Sequence, residues 1–279
     1  MIVISNYFIF KNFEQFYKDT RPVQSIKALK TPNINIESPL EKDVEVCIEE
    51  SITLIINEKS RLNLICTPQM VEELIIGYIF TEGICSSIDQ VKEISYLSDK
   101  IFLINISKEI KQSEEWFQNL EIRSSGCVGL KNEYLDMNFK INSKFQITPK
   151  IIFKSQEILK TKGIIWQKSG GTHMSGLFNS NGNLITYSED IGRHNTIDKI
   201  IGFAIIRNYN LSNTYICTSG RLSAGMVAKV ARVGIPILIS ISAPIFQGIK
   251  LAKKLGVTLI GFSRDPALNI YSHEERIKF

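Results

Sequence analysis

The most constraining feature of this 279-residue chain is the alternation that runs through its last third. Apolar runs at 214–218, 235–240 and 257–262 are separated by segments of helical period at 223–232 and 244–255. Each connection is long enough for one crossover helix, so the three strands are predicted to lie parallel, joined right-handedly, with helices on the sheet faces. Upstream, strand-like segments at 174–178 and 184–188 flank a turn at Asn179 to Asn183. Ile197, Ile200, Ile201, Ala204 and Ile205 then form one helical stripe. Thr148-Pro149 supplies a cap and a first-turn proline for a further helix, with Ile151, Ile152, Ile158 and Leu159 on its apolar side and Gly163 near its end. Residues 148–279 are therefore expected to form an α/β sandwich.

The first part reads differently. Partial alternation from Val44 to Asn57, around Glu49-Glu50-Ser51, predicts two half-buried strands joined by a short turn. Thr67-Pro68 then opens an amphipathic helix carrying Val71, Leu74, Ile75, Tyr78 and Ile79, stopped at Gly83. A second strand pair is expected across Ile94 to Ile106, turning at Ser98-Asp99, so residues 1–122 read as a smaller α+β domain. Between the domains, Arg123-Ser124-Ser125-Gly126-Cys127-Val128-Gly129 surrounds one thiol with small residues, and 123–147 are read as a loop and linker.

Five cysteines, Cys47, Cys66, Cys85, Cys127 and Cys217, are an odd number without a C-x-x-C pair. They suggest reduced thiols rather than a disulfide framework or zinc knuckle. The apolar start lacks a basic region and a cleavage site, and no run of about 18 apolar residues occurs, so an unexported, cytoplasmic protein with no membrane partner is expected. A formal charge of +5 is too small to imply nucleic acid but favours an anionic ligand.

Ligands of open parallel sheets bind beyond the carboxyl ends of strands, where helix N-termini offer free N–H groups. Ser219-Gly220-Arg221, Ser240 to Pro244 and Phe262-Ser263-Arg264-Asp265 fall at three such ends. Glu189-Asp190-Ile191-Gly192-Arg193-His194-Asn195 forms a fourth candidate loop. Each arginine alone reads as a solvated charge; their shared position points to a phosphate-bearing ligand, which the guanidinium fork matches. His173, after Gly170-Gly171-Thr172, reads equally as a proton-transfer group or a hydrogen-bonded structural residue. His194 has the stronger case, flanked by Arg193 and Asn195 at a helix start, whereas His273 lies in a charged tail and is expected to be solvated. Cys127 is the one thiol in a glycine-rich loop; Cys47, Cys66 and Cys217 are expected to act as small buried hydrophobes, and Cys85 to be exposed.

Several of these segments stand in a familiar order: Thr67-Pro68 through Tyr78, Glu82-Gly83-Ile84, Ser124-Ser125-Gly126-Cys127 and Gly170-Gly171-Thr172-His173. Ser219-Gly220-Arg221, Ser242-Ala243-Pro244 and Gly261-Phe262-Ser263-Arg264 follow, and Glu189 to Lys199 matches E-D-x-G-R-H-N-x-x-D-K. From about Val44 to Tyr271 the chain resembles the formate dehydrogenase accessory sulfurtransferases, the FdhD family.

That resemblance implies a cytidine deaminase-like three-layer α/β/α sandwich for the second domain, without zinc, in a homodimer. It implies a sulfur carrier that takes persulfide sulfur from a cysteine desulfurase onto Cys127. The recipient would be the molybdenum (or tungsten) bis-molybdopterin guanine dinucleotide cofactor needed by formate dehydrogenase, with a guanine nucleotide as its analogue. Phe262, Ser263, Arg264, Asp265, Pro266 and Ala267 correspond to the cofactor-binding stretch. Ser219, Gly220 and Arg221, with His173, Asp190, Arg193 and His194, are expected to help hold it. One departure stands out: many members read S-S-C-G-x-C-G where this chain reads S-S-G-C-V-G-L, with one cysteine displaced by a residue. A relay needs only one nucleophilic sulfur, so the chemistry survives, although a cofactor chaperone without sulfur transfer is an alternative. A zinc deaminase is a further alternative, but it needs H-x-E and P-C-x-x-C; His173-Met174-Ser175 lacks the glutamate and no P-C-x-x-C occurs.

Overall fold

A computed structural model describes residues 10–18, 20–30, 40–107, 122–123 and 137–279. The short strand β1 (Phe10–Lys11) and helix α1 (Phe13–Lys18) lead into a two-stranded antiparallel arm of β2 (Val23–Lys30) and β3 (Leu40–Cys47). Strands β4 (Glu50–Ile56), β5 (Ser60–Cys66), β6 (Val91–Tyr96), β7 (Ile101–Ile106) and β8 (Ile122–Arg123) join β1 in a mixed sheet of order β1-β6-β7-β4-β5-β8. The expected strand pair at Ile94 to Ile106 is present as the β6–β7 hairpin.

The expected hairpin across Val44 to Asn57 is corrected. Both strands exist, but β3 pairs with β2 and β4 pairs with β5. The β4–β5 turn is the three residues Asn57 to Lys59, with Asn57 and Glu58 both at positive φ and the Lys59 N–H donating to the Ile56 carbonyl at 3.1 Å. Ile52, Leu54 and Ile56 alternate inward along β4 onto helix α2 (Val71–Thr81). This helix also departs from expectation. Its N-cap is Met70 in the left-handed region, with no side-chain cap, and it is buried nearly all round rather than amphipathic.

Helices α3 (Pro149–Lys162) and α4 (Ile164–Ser169) open the second half. Thr148 caps α3 as the sequence indicated, its hydroxyl accepting from the Ile151 N–H. Strands β9 (His173–Asn179), β10 (Leu184–Asp190), β11 (Thr214–Thr218), β12 (Ile237–Ser240), β13 (Thr258–Arg264) and β14 (Ala267–Ser272) form a sheet of order β10-β9-β11-β12-β13-β14. As expected, β11, β12 and β13 are parallel; β9, β10 and β14 run antiparallel to their neighbours, so the sheet as a whole is mixed. One face packs Ile152 and Leu159 of α3 on Phe178, Tyr215 and Ile239. The other packs against α5 (Arg193–Ile206), α6 (Ala224–Arg232) and α7 (Phe246–Leu255). Among the described residues no helix is long and apolar enough to cross a membrane.

The two halves meet where α2 crosses α5. A Cβ added to Gly77 would stand 1.8 Å from the Asp198 carbonyl oxygen, and one added to Gly202 would stand 1.9 Å from that of Glu73. The helices therefore touch backbone to backbone, which only glycine permits. Two buried lysines bind the crossing on either side. Lys199 Nζ lies 2.6 Å from Asp190 Oδ2 and donates to the Thr67 carbonyl at 2.9 Å, while the Thr67 N–H donates to the same carboxylate at 3.0 Å. Lys229 Nζ meets Asp198 and Glu82 at 2.9 Å each and donates to Thr81 Oγ1.

Gly202→Ala should force these helices apart and destabilise the protein by at least about 1–3 kcal/mol, as overpacked interiors do. Urea denaturation followed by circular dichroism would measure it; an unchanged midpoint would mean that the crossing is not rigid.

Candidate functional site

Beyond the carboxyl ends of the parallel strands lies a cavity of about 930 Å³. Cys217, Thr218 and Ser219 from β11, Ile241 after β12, and Ser263-Arg264-Asp265 at the end of β13 form its sheet side. Helix α3 forms the opposite wall, where Lys150, Phe153, Lys154 and Glu157 fall at i, i+3, i+4 and i+7 and so share one face. Lys160 and Trp166 complete the edge. Four cations, Lys150, Lys154, Lys160 and Arg264, stand against two carboxylates, Glu157 and Asp265, so the cavity favours an anion. Phe153 and the part-exposed Trp166 offer aromatic surface to a planar group.

Ser219 links this cavity to a second polar cluster. Its hydroxyl accepts from the Met174 N–H at 2.9 Å and lies 3.4 Å from His173 Nδ1. Burial, with Arg193 and Arg221 nearby, holds the His173 imidazole below its ordinary range. Gly220 is required here by close approach, since an added Cβ would stand 2.7 Å from that of Arg193. Arg221 is exposed, and Arg193 is buried at the start of α5.

The expected site residues divide accordingly. Ser219, Ser263, Arg264 and Asp265 line the cavity. Phe262, Pro266 and Ala267 are exposed around the β13–β14 turn, with the Phe262 N–H donating to the Ser242 carbonyl at 3.0 Å. Asp190 is turned inward, its oxygens engaged by Lys199, Thr67, Gly192 and Asn195. It joins the two halves. His194 is buried as well, with Nε2 3.3 Å from Ser223 Oγ. Cys127 lies outside the described residues. Cys85, expected to be exposed, is buried. Burial pushes the Cys66 and Cys217 thiols well up, and Cys47, half-buried, has its sulfur 2.8 Å from Ser169 Oγ. His273 is half-buried rather than solvated, its ring nitrogens 3.2 Å from Glu275 Oε1 and the Lys253 carbonyl.

The lysines of α3 and Trp166 are the residues that sequence reasoning missed. Their spacing was visible, but the packing of α3 across the strand ends was not.

The protein is thus of the mixed α/β class, with a basic, aromatic-edged cavity at the end of the sheet where open α/β folds bind their ligands. Residues 47–278 match the model of the FdhD/NarQ family. Over 249 residues the chain is 32% identical to the sulfur carrier protein FdhD of Saccharolobus solfataricus, covering 88% of this chain and 90% of that one. Over 243 residues it is 35% identical to the protein of the same name from Sulfurisphaera tokodaii, covering 86% and 90%. A crystal structure described as a formate dehydrogenase accessory protein, from Desulfotalea psychrophila, superposes with a TM-score of 0.76 at 26% identity, covering 92% of this chain and all of that one. The chain belongs to the FdhD/NarQ family.

Burial, reinforced by Lys229 and Arg193, lowers the His194 imidazole from 6.5 to about 3. Between those values the unfolded chain binds the extra proton, so this contribution to stability is complete above pH 6.5 and is lost as pH falls towards 3. From pH 7.5 to 5.0 the wild type should therefore lose about 2 kcal/mol more than His194→Gln. Urea midpoints at the two pH values give that difference, and parallel losses would refute the assignment.

Proposed function

We propose that this protein is a sulfur carrier in formate dehydrogenase maturation, acting as a sulfurtransferase on Cys127. In the first step the Cys127 thiolate attacks the outer sulfur of a cysteine desulfurase persulfide. The S–S bond of the donor breaks, the desulfurase cysteine leaves as a thiolate, and Cys127 becomes the persulfide. The outer sulfur then passes to the metal of the molybdenum (or tungsten) bis-molybdopterin guanine dinucleotide cofactor, which is substrate here rather than a resident group: the Cys127 S–S bond breaks, Cys127 leaves as a thiolate, and the metal centre supplies the two electrons that take the sulfane sulfur to sulfide. Formate dehydrogenase is the client, and the carrier acts as a cytoplasmic homodimer.

The observation that carries this reading is the cavity. Its lysines and Arg264 suit a diphosphate, Phe153 and Trp166 suit a nucleobase, and its sheet side includes the β13 stretch in which the sequence resemblance places cofactor binding. The relatives are named sulfur carrier proteins, which supports a sulfur-carrying role, and Cys127 takes it on the sequence resemblance. We read the C-terminal sheet, an antiparallel hairpin beside three parallel strands with helices on both faces, as the deaminase-like sandwich.

Incubation with a cysteine desulfurase and cysteine, followed by intact mass measurement, tests the carrier. Wild type and Cys85→Ala should gain about 32 Da, reversed by reductant, and Cys127→Ala should not. No gain in any protein would turn the reading to a cofactor chaperone, which the single loop cysteine favours.

Binding of guanosine diphosphate, measured by titration calorimetry, tests the cavity separately. Arg264→Ala should weaken it by about tenfold, the scale of one lost charge-assisted contact, while Cys127→Ala binds as wild type does. Equal affinity of Arg264→Ala and wild type would remove Arg264 from the site.

A further inference from the structure

Helix α7 begins against local preference. Its N-cap is Ile245, which supplies no side-chain cap, its first residue is Phe246, and its first turn holds no acid. Hydroxyl, amide and carboxylate side chains are favoured at such an end because they satisfy its free N–H groups and complement the helix dipole. Burial does not compensate, since the Phe246 side chain is 74% exposed. A second local rule is broken close by. Phe262 takes φ 49°, a left-handed backbone that bulky residues rarely adopt, and it is 48% exposed.

Both irregularities border one loop, residues 241–245. The Phe262 N–H donates to the Ser242 carbonyl, and a Cβ added to Gly261 would stand 2.8 Å from Pro244 Cδ. Ile241, at the start of the loop, is exposed and also lines the cavity, so this apolar face is continuous with the cavity mouth. Local rules broken without a gain in packing mark functional surfaces, and exposed aromatic side chains are the usual anchors of protein interfaces.

Charge decides what fits the face. Arg221 adjoins Leu222, which bridges to Pro244; Lys250 lies one turn along α7 from Phe246; Arg264 follows Phe262 by two residues. All three are exposed, and the sequence from Ser240 to Leu255 contains no acid. A second copy joined here by two-fold symmetry would set these cations against their own images. A protein that presents an apolar plug ringed by carboxylates meets no such repulsion, and once seated it stands over the cavity mouth.

We propose that Ile245 and Phe246, rimmed by Arg221 and Lys250, form the face on which an acidic-rimmed acceptor protein docks to collect what the cavity holds. This rests on the reading of formate dehydrogenase as the client, and it adds the surface at which the client is met.

Biolayer interferometry of the full-length protein against formate dehydrogenase purified without its cofactor tests the face. Wild type should bind, and its affinity should fall by about tenfold between about 50 and 300 mM salt. Phe246→Asp should weaken binding by about tenfold or more, and Lys250→Glu should weaken it and flatten the salt dependence. Leu97→Asp, at an exposed apolar side chain after β6, should bind as wild type does. An aspartate is favoured at a helix start, so Phe246→Asp should melt at or above the wild-type temperature and bind guanosine diphosphate within about threefold of wild type. Equal affinity of Phe246→Asp and wild type for the enzyme would overturn the assignment and leave the client reading standing. Sedimentation showing that Phe246→Asp splits a wild-type dimer would overturn it as well, by giving the face to a second copy. A wild type that does not bind the enzyme at all would overturn the client reading and this inference together.

Discussion

The crossing of α2 on α5 governs the molecule. Gly77 and Gly202 let the two backbones meet, and that closeness leaves no room for water around the charged groups beside it. Lys199 with Asp190, and Lys229 with Asp198 and Glu82, are consequently buried ion pairs. Such pairs add little net stability compared with apolar packing, but removing one partner costs about 3–5 kcal/mol. Burial pushes the Asp198 carboxyl up to about 6 even against the pull of Lys229, which shows how dry the junction is. Their value lies in geometry. Lys199 reaches the Thr67 carbonyl and Lys229 reaches Glu82, so each cluster ties the second half to the first.

That placement is transmitted to the cavity by short connections. Asp190 ends β10, its carboxylate accepts from the Gly192 N–H at 2.8 Å, and α5 begins at the next residue. Asn195 donates both to Asp190 and to the Ile65 carbonyl, tying the same turn to the N-terminal sheet. Arg193 is thereby held against Gly220, at the end of β11 and beside Ser219. The E-D-x-G-R-H-N-x-x-D-K segment, whose Asp190, Arg193 and His194 were expected to help hold a ligand, is in large part the device that locks the sheet ends to the rest of the protein. A ligand in the cavity meets a surface whose shape was settled by contacts several residues away.

Much of this was legible in the sequence, in a way that follows from range. Helix α3 with its Thr148 cap, the β9–β10 hairpin and the alternating units from Thr214 to Phe262 are encoded by local periodicity and turn residues, and they are present. Strand pairing is not local. The segments at 40–47 and 50–56 read as one hairpin because they are adjacent, yet each finds its partner elsewhere. Thr67 looked like a helix cap for the same reason. Its hydroxyl accepts from the Ile191 N–H at 3.1 Å, a contact across 124 positions that no local pattern reports. Three of the four strand-end loops contribute residues to the sheet side of the cavity and the loop from Glu189 to Asn195 does not, while the α3 wall required knowledge of how a helix lies across a sheet.

The distribution of thiols bears on the proposed chemistry. A sulfur carrier needs a thiolate, and burial in apolar surroundings works against one. Cys66 and Cys217 are held protonated by burial, although Cys217 forms part of the cavity floor. Cys85 is enclosed in the N-terminal core. Cys47 is half-buried beside Ser169, with its sulfur filling the space next to Gly171. Each of these is accounted for by packing. On the proposed reading this separation has a purpose: a thiol in the cavity floor that stays protonated cannot compete for sulfur brought to the same cavity, so transfer is confined to the cysteine of the glycine-rich segment. The fold then contributes to the chemistry by keeping its other sulfurs out of it.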